Sequence, residues 1–325
     1  MTAAPARILV VRRRALGDLV TSLGALDELA AAYPTAAVDL VMDPPFVEAA
    51  RAWAPVARVL ALPPGTAARL RFGLALRHTR YDLAIDLHAT PLTALLTWMT
   101  GAPRRVGLDL ARRAWAYTDR VPRLGSAADE RGRPPYVGDA LAAVVARALP
   151  ADARPPARAA APVASAPPRR VALAPGATWP AKAWPATSYA RLARLARERW
   201  NAEVTVLWGP GEEELARRIA AEAPGTLVAE PGTVVDLGRV LAGFDLLLSG
   251  DSGARHLAQR LGVRTVSIFG PTDPWTQTPP GSRHRWLRYP IACAPCQRNV
   301  CPLAENYCLS RVTAEDVMAA AEARS

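Results

Sequence analysis

The chain has 325 residues, half of them apolar, with 40 Lys+Arg against 29 Asp+Glu and a net charge of +11. That length suggests two domains, and the apolar share is ample for two cores. No stretch approaches the ~20 apolar residues of a membrane-spanning helix, no signal peptide is visible, and the charge points to anionic partners.

In chain order, Arg7–Val11 reads as a buried strand and 18–32 as an amphipathic helix. Residues 38–42 and 81–87 read as further strands, and a helix is expected from about Pro91 to Met99. Short β-branched runs alternating with helical patterns imply βαβ units and a parallel sheet. Residues 150–168 turn to Ala, Pro and Arg, too proline-rich for a helix and too poor in large apolar side chains for a core. The alternation then restarts: strands at 170–174, 203–208, 244–249 and 264–269, with helices at 188–200, 212–223 and 252–261. Thr313 and Asp316 form a capping-box pattern that opens a last helix. The expected organisation is an α/β protein with residues 1–155 as one domain, 156–168 as linker and 169–325 as the second domain. The last helix has the option of packing back on the first domain. Ligands of open α/β sheets bind outside the carboxyl ends of the strands, so two such domains suit an enzyme with two substrates.

Four segments carry candidate chemistry. Lys182 is the only lysine among the 40 basic residues, and a compact ammonium differs from a guanidinium where a phosphate is held. Asp18, after the first strand, suits either a helix cap or a general base. Asp251-Ser252-Gly253-Ala254-Arg255-His256 follows a strand; amides that open a helix can hold a phosphate, and Asp251 and His256 can bond sugar hydroxyls. Glu212, Glu213 and Glu214 open another helix, where one carboxylate could grip a ribose. No Gly-x-Gly-x-x-Gly and no Walker A lysine is present, which weakens nicotinamide and triphosphatase readings. Cys293, Cys296, Cys301 and Cys308 are clustered and could hold a structural zinc or an iron–sulfur cluster as a loop staple, or stay reduced.

The opening Ile8-Leu9-Val10-Val11 through Leu16-Gly17-Asp18, the stretch Phe269-Gly270-Pro271-Thr272 after the Asp251 motif, and Cys293-Ala294-Pro295-Cys296 together resemble glycosyltransferase family 9, the heptosyltransferases of lipopolysaccharide core assembly. The resemblance covers nearly the whole chain. It implies two facing Rossmann-like domains with parallel sheets (the GT-B architecture), an N-terminal acceptor domain and a C-terminal donor domain. It implies inverting, metal-independent transfer of a heptose or related sugar from a nucleotide-diphosphate donor to an anionic cell-envelope glycan, in the cytoplasm or at the inner-membrane surface, with no nucleic-acid partner. By position, Asp18 matches the base, Thr178 and Lys182 the diphosphate grip, Asp251 the sugar ligand, and Ser252, Gly253 and Ala254 the phosphate-binding turn. One of Glu212, Glu213 and Glu214 would match the ribose contact. An anionic acceptor is expected to be bound by some of Arg12, Arg13, Arg14, Arg112 and Arg113. Arg255 departs from the family pattern, which usually has a small or apolar residue there. A nucleotide-sugar epimerase or hydrolase, or a non-catalytic nucleotide- or glycan-binding protein, is the alternative on the same architecture.

Overall fold

A computed structural model of the chain describes residues 4–122, 132–150, 153, 166–281 and 283–323. The chain divides into two units, Met1–Arg158 and Ala159–Ser325. Most of the expected linker, residues 156–165, lies outside the described residues.

The first unit carries strands β1 (Arg7–Val11), β2 (Ala37–Met42), β3 (Arg58–Ala61), β4 (Leu83–Asp86), β5 (Arg104–Leu108) and β6 (Asp119–Val121). Its helices are α1 (Leu16–Ala32), α2 (Val47–Trp53), α3 (Thr66–His78), α4 (Pro91–Met99) and α5 (Val137–Ala146). The six strands form one sheet in the order β3-β2-β1-β4-β5-β6, and every pairing is parallel. Ile8 to Val11 are fully buried, as expected for a strand covered by helices on both faces.

The second unit repeats the plan with β7 (Arg170–Ala174), β8 (Glu203–Val206), β9 (Leu227–Val228), β10 (Leu246–Gly250), β11 (Arg264–Ile268) and β12 (His284–Leu287). Its helices are α6 (Ala186–Trp200), α7 (Glu213–Glu222), α8 (Val234–Leu241), α9 (Gly253–Arg260), α10 (Pro274–Gln277), α11 (Tyr307–Ser310) and α12 (Ala314–Glu322). The sheet order is β12-β11-β10-β7-β8-β9, the same winding as in the first unit. Helix α6 buries Tyr189, Leu192, Ala193 and Ala196 on one face and stops at Asn201, which takes the left-handed conformation. Helix α12 packs on α6 in its own unit, with Val317 and Met318 in that core. Its apolar face is what fixes it there.

The repetition reaches single side chains. Asp82 accepts the N–H groups of Ala6 and Arg7 at 2.8 and 2.9 Å. Asp245 accepts those of Arg169 and Arg170 at the same two distances. In both units the carboxylate lies 75 residues beyond the strand-opening arginine. In both, the first strand lies beside the fourth, with Val11 opposite Asp86 and Ala174 opposite Ser249. The winding reverses between these two central strands, and ligands of such sheets bind outside the carboxyl ends at that reversal.

Candidate active site

In the second unit the carboxyl ends of β7 and β10 bring together residues far apart in sequence. Asp251, 7% exposed, follows β10 and accepts from three side chains. Lys182 Nζ stands 2.6 Å from Oδ2, Thr272 Oγ1 donates to Oδ2 at 2.8 Å, and Arg255 Nη2 donates to Oδ1 at 2.9 Å. Burial alone would push the Asp251 carboxyl up; Arg255 and Lys182 outweigh it and hold the group below the usual carboxylate range. The carboxylate is therefore charged, with two cations on it. Lys182 lies over the Trp179 ring at 4.3 Å, so its ammonium is placed by an aromatic face as well as by the ion pair.

Ser252 occupies the N-cap position of α9, yet its side chain caps nothing, and its Oγ is buried without a hydrogen-bond partner. A buried hydroxyl left open beside free helix amides fits an oxyanion ligand. Gly253 and Ala254 supply the next amides of the same turn. His256 is buried, with Nε2 2.9 Å from Arg255 Nη2; since Arg255 donates, His256 Nε2 accepts. It thus serves the Asp251–Arg255 cluster, where the sequence suggested a sugar ligand. Thr178 is exposed on the loop before Lys182.

The acidic run separates by geometry. Glu212 Oε2 accepts from the Gly209 amide at 2.9 Å, and a Cβ on Gly176 would fall 2.1 Å from the same oxygen. Gly176 is there because the carboxylate lies against the backbone. Glu213 instead pairs with Arg217 on the outer face of α7, and Glu214 is exposed. Glu212 is the carboxylate at the strand ends.

The cysteine segment braces this site from behind. The Ala181 amide donates to Asn299 O at 3.0 Å, and Asn306 Nδ2 donates to Pro180 O at 3.1 Å. The Gln297 amide donates to Pro271 O at 2.7 Å. The turns carrying Lys182 and Thr272 therefore rest on residues 297–306. The Cys308 sulfur lies where a Cβ on Gly270 would meet it, at 3.0 Å. Burial, then Cys301, Cys293 and Cys296, pushes the Cys308 thiol up. All four are free of disulfides. Among the described residues, no three His, Cys, Asp or Glu side chains stand as a metal-ligand set.

In the first unit, Asp18 lies in the first turn of α1, after β1. Oδ1 accepts from Arg12 Nη2 at 2.8 Å and Oδ2 from the Ala15 amide at 3.3 Å. The side chain is 31% exposed, so the carboxylate caps the helix and still meets solvent. Arg12 was expected to face an acceptor; instead it is buried, donating also to Leu87 O at 2.6 Å. A guanidinium so committed positions Asp18 and leaves no donor face for a ligand. Arg13 forks onto Asp43 at 3.0 and 3.3 Å. Arg113 donates to Ala89 O at 2.6 Å. Arg14 and Arg112 are the exposed members of the set.

Four roles escaped the sequence reading: Thr272 and Arg255 as Asp251 partners, and Asn299 and Asn306 as braces. The i,i+4 spacing of Asp251 and Arg255 at a helix start was the one available signal.

Known proteins resemble this chain in sequence and in fold. A model of glycosyltransferase family 9 (heptosyltransferase) matches residues 69–307. Lipopolysaccharide heptosyltransferase 1 of Pseudomonas aeruginosa is 32% identical, over 91% of this chain and 87% of that one. Among solved structures, the E. coli ADP-heptose lps heptosyltransferase II superposes with a TM-score of 0.74 at 21% identity, covering 97% of each chain. The E. coli heptosyltransferase WaaC with ADP-2-deoxy-2-fluoro heptose does so with a TM-score of 0.74 at 23% identity, covering 97% of this chain and 99% of that one. No helix among the described residues is long and apolar enough to cross a membrane. The two doubly wound units and these matches lead to one conclusion: the chain is a glycosyltransferase and belongs to glycosyltransferase family 9.

Proposed function

We propose that the chain moves a heptose from ADP-heptose to an anionic lipopolysaccharide-core acceptor with inversion at the anomeric carbon. The observation that carries this reading is the Lys182–Asp251 pair, with Thr272, beside the open Ser252 hydroxyl at the start of α9. The names of the relatives supply the sugar and the acceptor class. The second unit takes the donor: Lys182, Ser252 and the amides of Gly253 and Ala254 hold the diphosphate, Glu212 the ribose, and Asp251 the sugar. The first unit takes the acceptor, with Asp18 as base and exposed Arg14 and Arg112 toward its negative groups.

In the reaction the acceptor oxygen attacks the anomeric carbon and its proton passes to Asp18. The bond from that carbon to the diphosphate oxygen breaks, and the electron pair leaves with ADP. Lys182 and the α9 amides stabilise the charge that grows on the leaving oxygen. Arg12 holds the Asp18 carboxylate toward the hydroxyl through their 2.8 Å ion pair. The enzyme works in the cytoplasm, at the inner-membrane surface through its positive charge.

A structural zinc or iron–sulfur group at Cys293, Cys296, Cys301 and Cys308 is a separate proposal, supported by the clustering of these cysteines in one short segment. It would require the side chains to close up and would stiffen the segment beneath Lys182. Metal analysis after mild chelation tests it, and the absence of stoichiometric zinc or iron ends it.

The function is tested by incubating ADP-heptose with a lipopolysaccharide-core acceptor and following ADP release and acceptor mass. A mass gain of one heptose, dependent on both substrates, is expected. ADP release without acceptor would favour a hydrolase, and no transfer to any envelope glycan would overturn the reading.

A further inference from the structure

The internal repetition assigns a counterpart to Asp251. Asp251 lies two residues beyond Ser249, which pairs with the last residue of β7, Ala174. In the first unit the last residue of β1, Val11, pairs with Asp86, and two residues beyond Asp86 stands His88. His88 thus sits outside the reversal of the first sheet, as Asp251 does in the second.

The turn that carries it is built, not loose. The buried Asp86 carboxylate accepts the amides of His88 and Ala89, both at 2.9 Å, and Tyr117 Oη donates to it at 2.8 Å. Ala89 is held at φ +54°, a left-handed conformation that strains a non-glycine residue. Arg113 clamps the Ala89 carbonyl, and Arg12 clamps that of Leu87. The same Arg12 guanidinium holds Asp18, so the proposed base and this turn share one support. After all this fixing, the His88 imidazole has no hydrogen-bond partner on either nitrogen, and both nitrogens are shielded. A strained, fourfold-pinned turn that presents a side chain with nothing to bond calls for a ligand.

We propose that His88 is an acceptor contact, its ring hydrogen-bonding a hydroxyl of the acceptor sugar beside the one that Asp18 deprotonates. Burial, then Arg12, brings the imidazole down to about 4, with Asp18 opposing. The ring is therefore neutral at ordinary pH, with one donor and one acceptor, which suits a sugar hydroxyl and not an anion. Charge recognition falls to the exposed arginines, and hydroxyl recognition to His88.

The inference rests on the proposed acceptor role of the first unit, and its test separates the two. Calorimetry on the full chain uses a lipopolysaccharide inner-core oligosaccharide in the presence of ADP. His88→Ala weakens oligosaccharide binding about tenfold, the order lost with one buried hydrogen bond to a ligand. His88→Gln, which keeps a donor and an acceptor, retains most of the affinity. The affinity for ADP is equal in all three proteins, and the unfolding midpoint does not follow the loss. Unchanged oligosaccharide affinity in His88→Ala overturns the inference, as does a wild type that binds ADP but no oligosaccharide. Binding that depends on His88 without any heptose transfer upholds the contact and overturns the function.

Discussion

The two units wind alike yet equip their sheet reversals oppositely. In the second, the residue after the fourth strand is a carboxylate saturated by Lys182, Arg255 and Thr272. In the first, the matching residue is a neutral imidazole with nothing on it, and the charge comes from Asp18, held by Arg12. On the proposed reading, one architecture holds phosphates around Lys182 in one unit and a sugar hydroxyl at His88 in the other. The difference teaches that the fold sets where a ligand lies, while a few side chains after the central strands set which ligand it is.

The comparison is broken hardest by removing the base. Asp18→Asn keeps an acceptor oxygen for Arg12 and gives up only the 3.3 Å contact from the Ala15 amide, so the chain folds normally. Transfer falls about 10²–10⁴-fold, the range for a general base. Activity near wild type would reduce Asp18 to a helix cap. On the donor side, Lys182→Ala loses about 10²–10³-fold in kcat, as loss of a charge-stabilising donor does. Lys182→Arg fails to restore it, because a planar fork does not fit where an ammonium lies between Trp179 and Asp251. An arginine variant with normal turnover would show that charge alone suffices.

Arg255 sharpens the comparison as a matter of stability. It is fully buried, with its charge on Asp251. Arg255→Met leaves a buried carboxylate short of one cation and costs about 3–5 kcal/mol in denaturant unfolding. A smaller loss would mean that Lys182 compensates alone.

A gentler probe is pH. Burial, with Arg12 at His88 and Arg283 at His284, brings both rings from 6.5 down to about 4. Between those values the unfolded chain binds protons that the folded chain refuses, so stability falls as pH drops from 6.5 toward 4. His284→Gln flattens part of that slope in urea titrations; an unaltered slope would contradict the assignment.

Much of this was legible in sequence. The buried β-branched runs at 7–11, 170–174 and 264–268 announced themselves because both faces of a central parallel strand are apolar. Strands β3, β5, β6, β9 and β12 did not: Arg58–Ala61 is short and begins on an exposed arginine, Arg104–Leu108 opens on two half-buried arginines, Asp119–Val121 is three residues long, Leu227–Val228 two, and His284–Leu287 is only half-buried. Edge positions lack the pattern that reveals a strand. Of the site, Asp18, Lys182 and Asp251 stood out by their place after strands. The arginines did not sort themselves, because the identical residue type at 12, 13 and 14 has three fates fixed by Asp18, Asp43 and solvent. His88 was invisible, since its meaning comes from a repeat in the fold that the sequence does not display.

The most direct measurement is a crystal structure of the full chain with ADP-2-deoxy-2-fluoro heptose. The account predicts the diphosphate within hydrogen-bonding distance of Lys182 Nζ, Ser252 Oγ and the first α9 amides. A diphosphate bound anywhere else, with Lys182 still locked on Asp251, would contradict it.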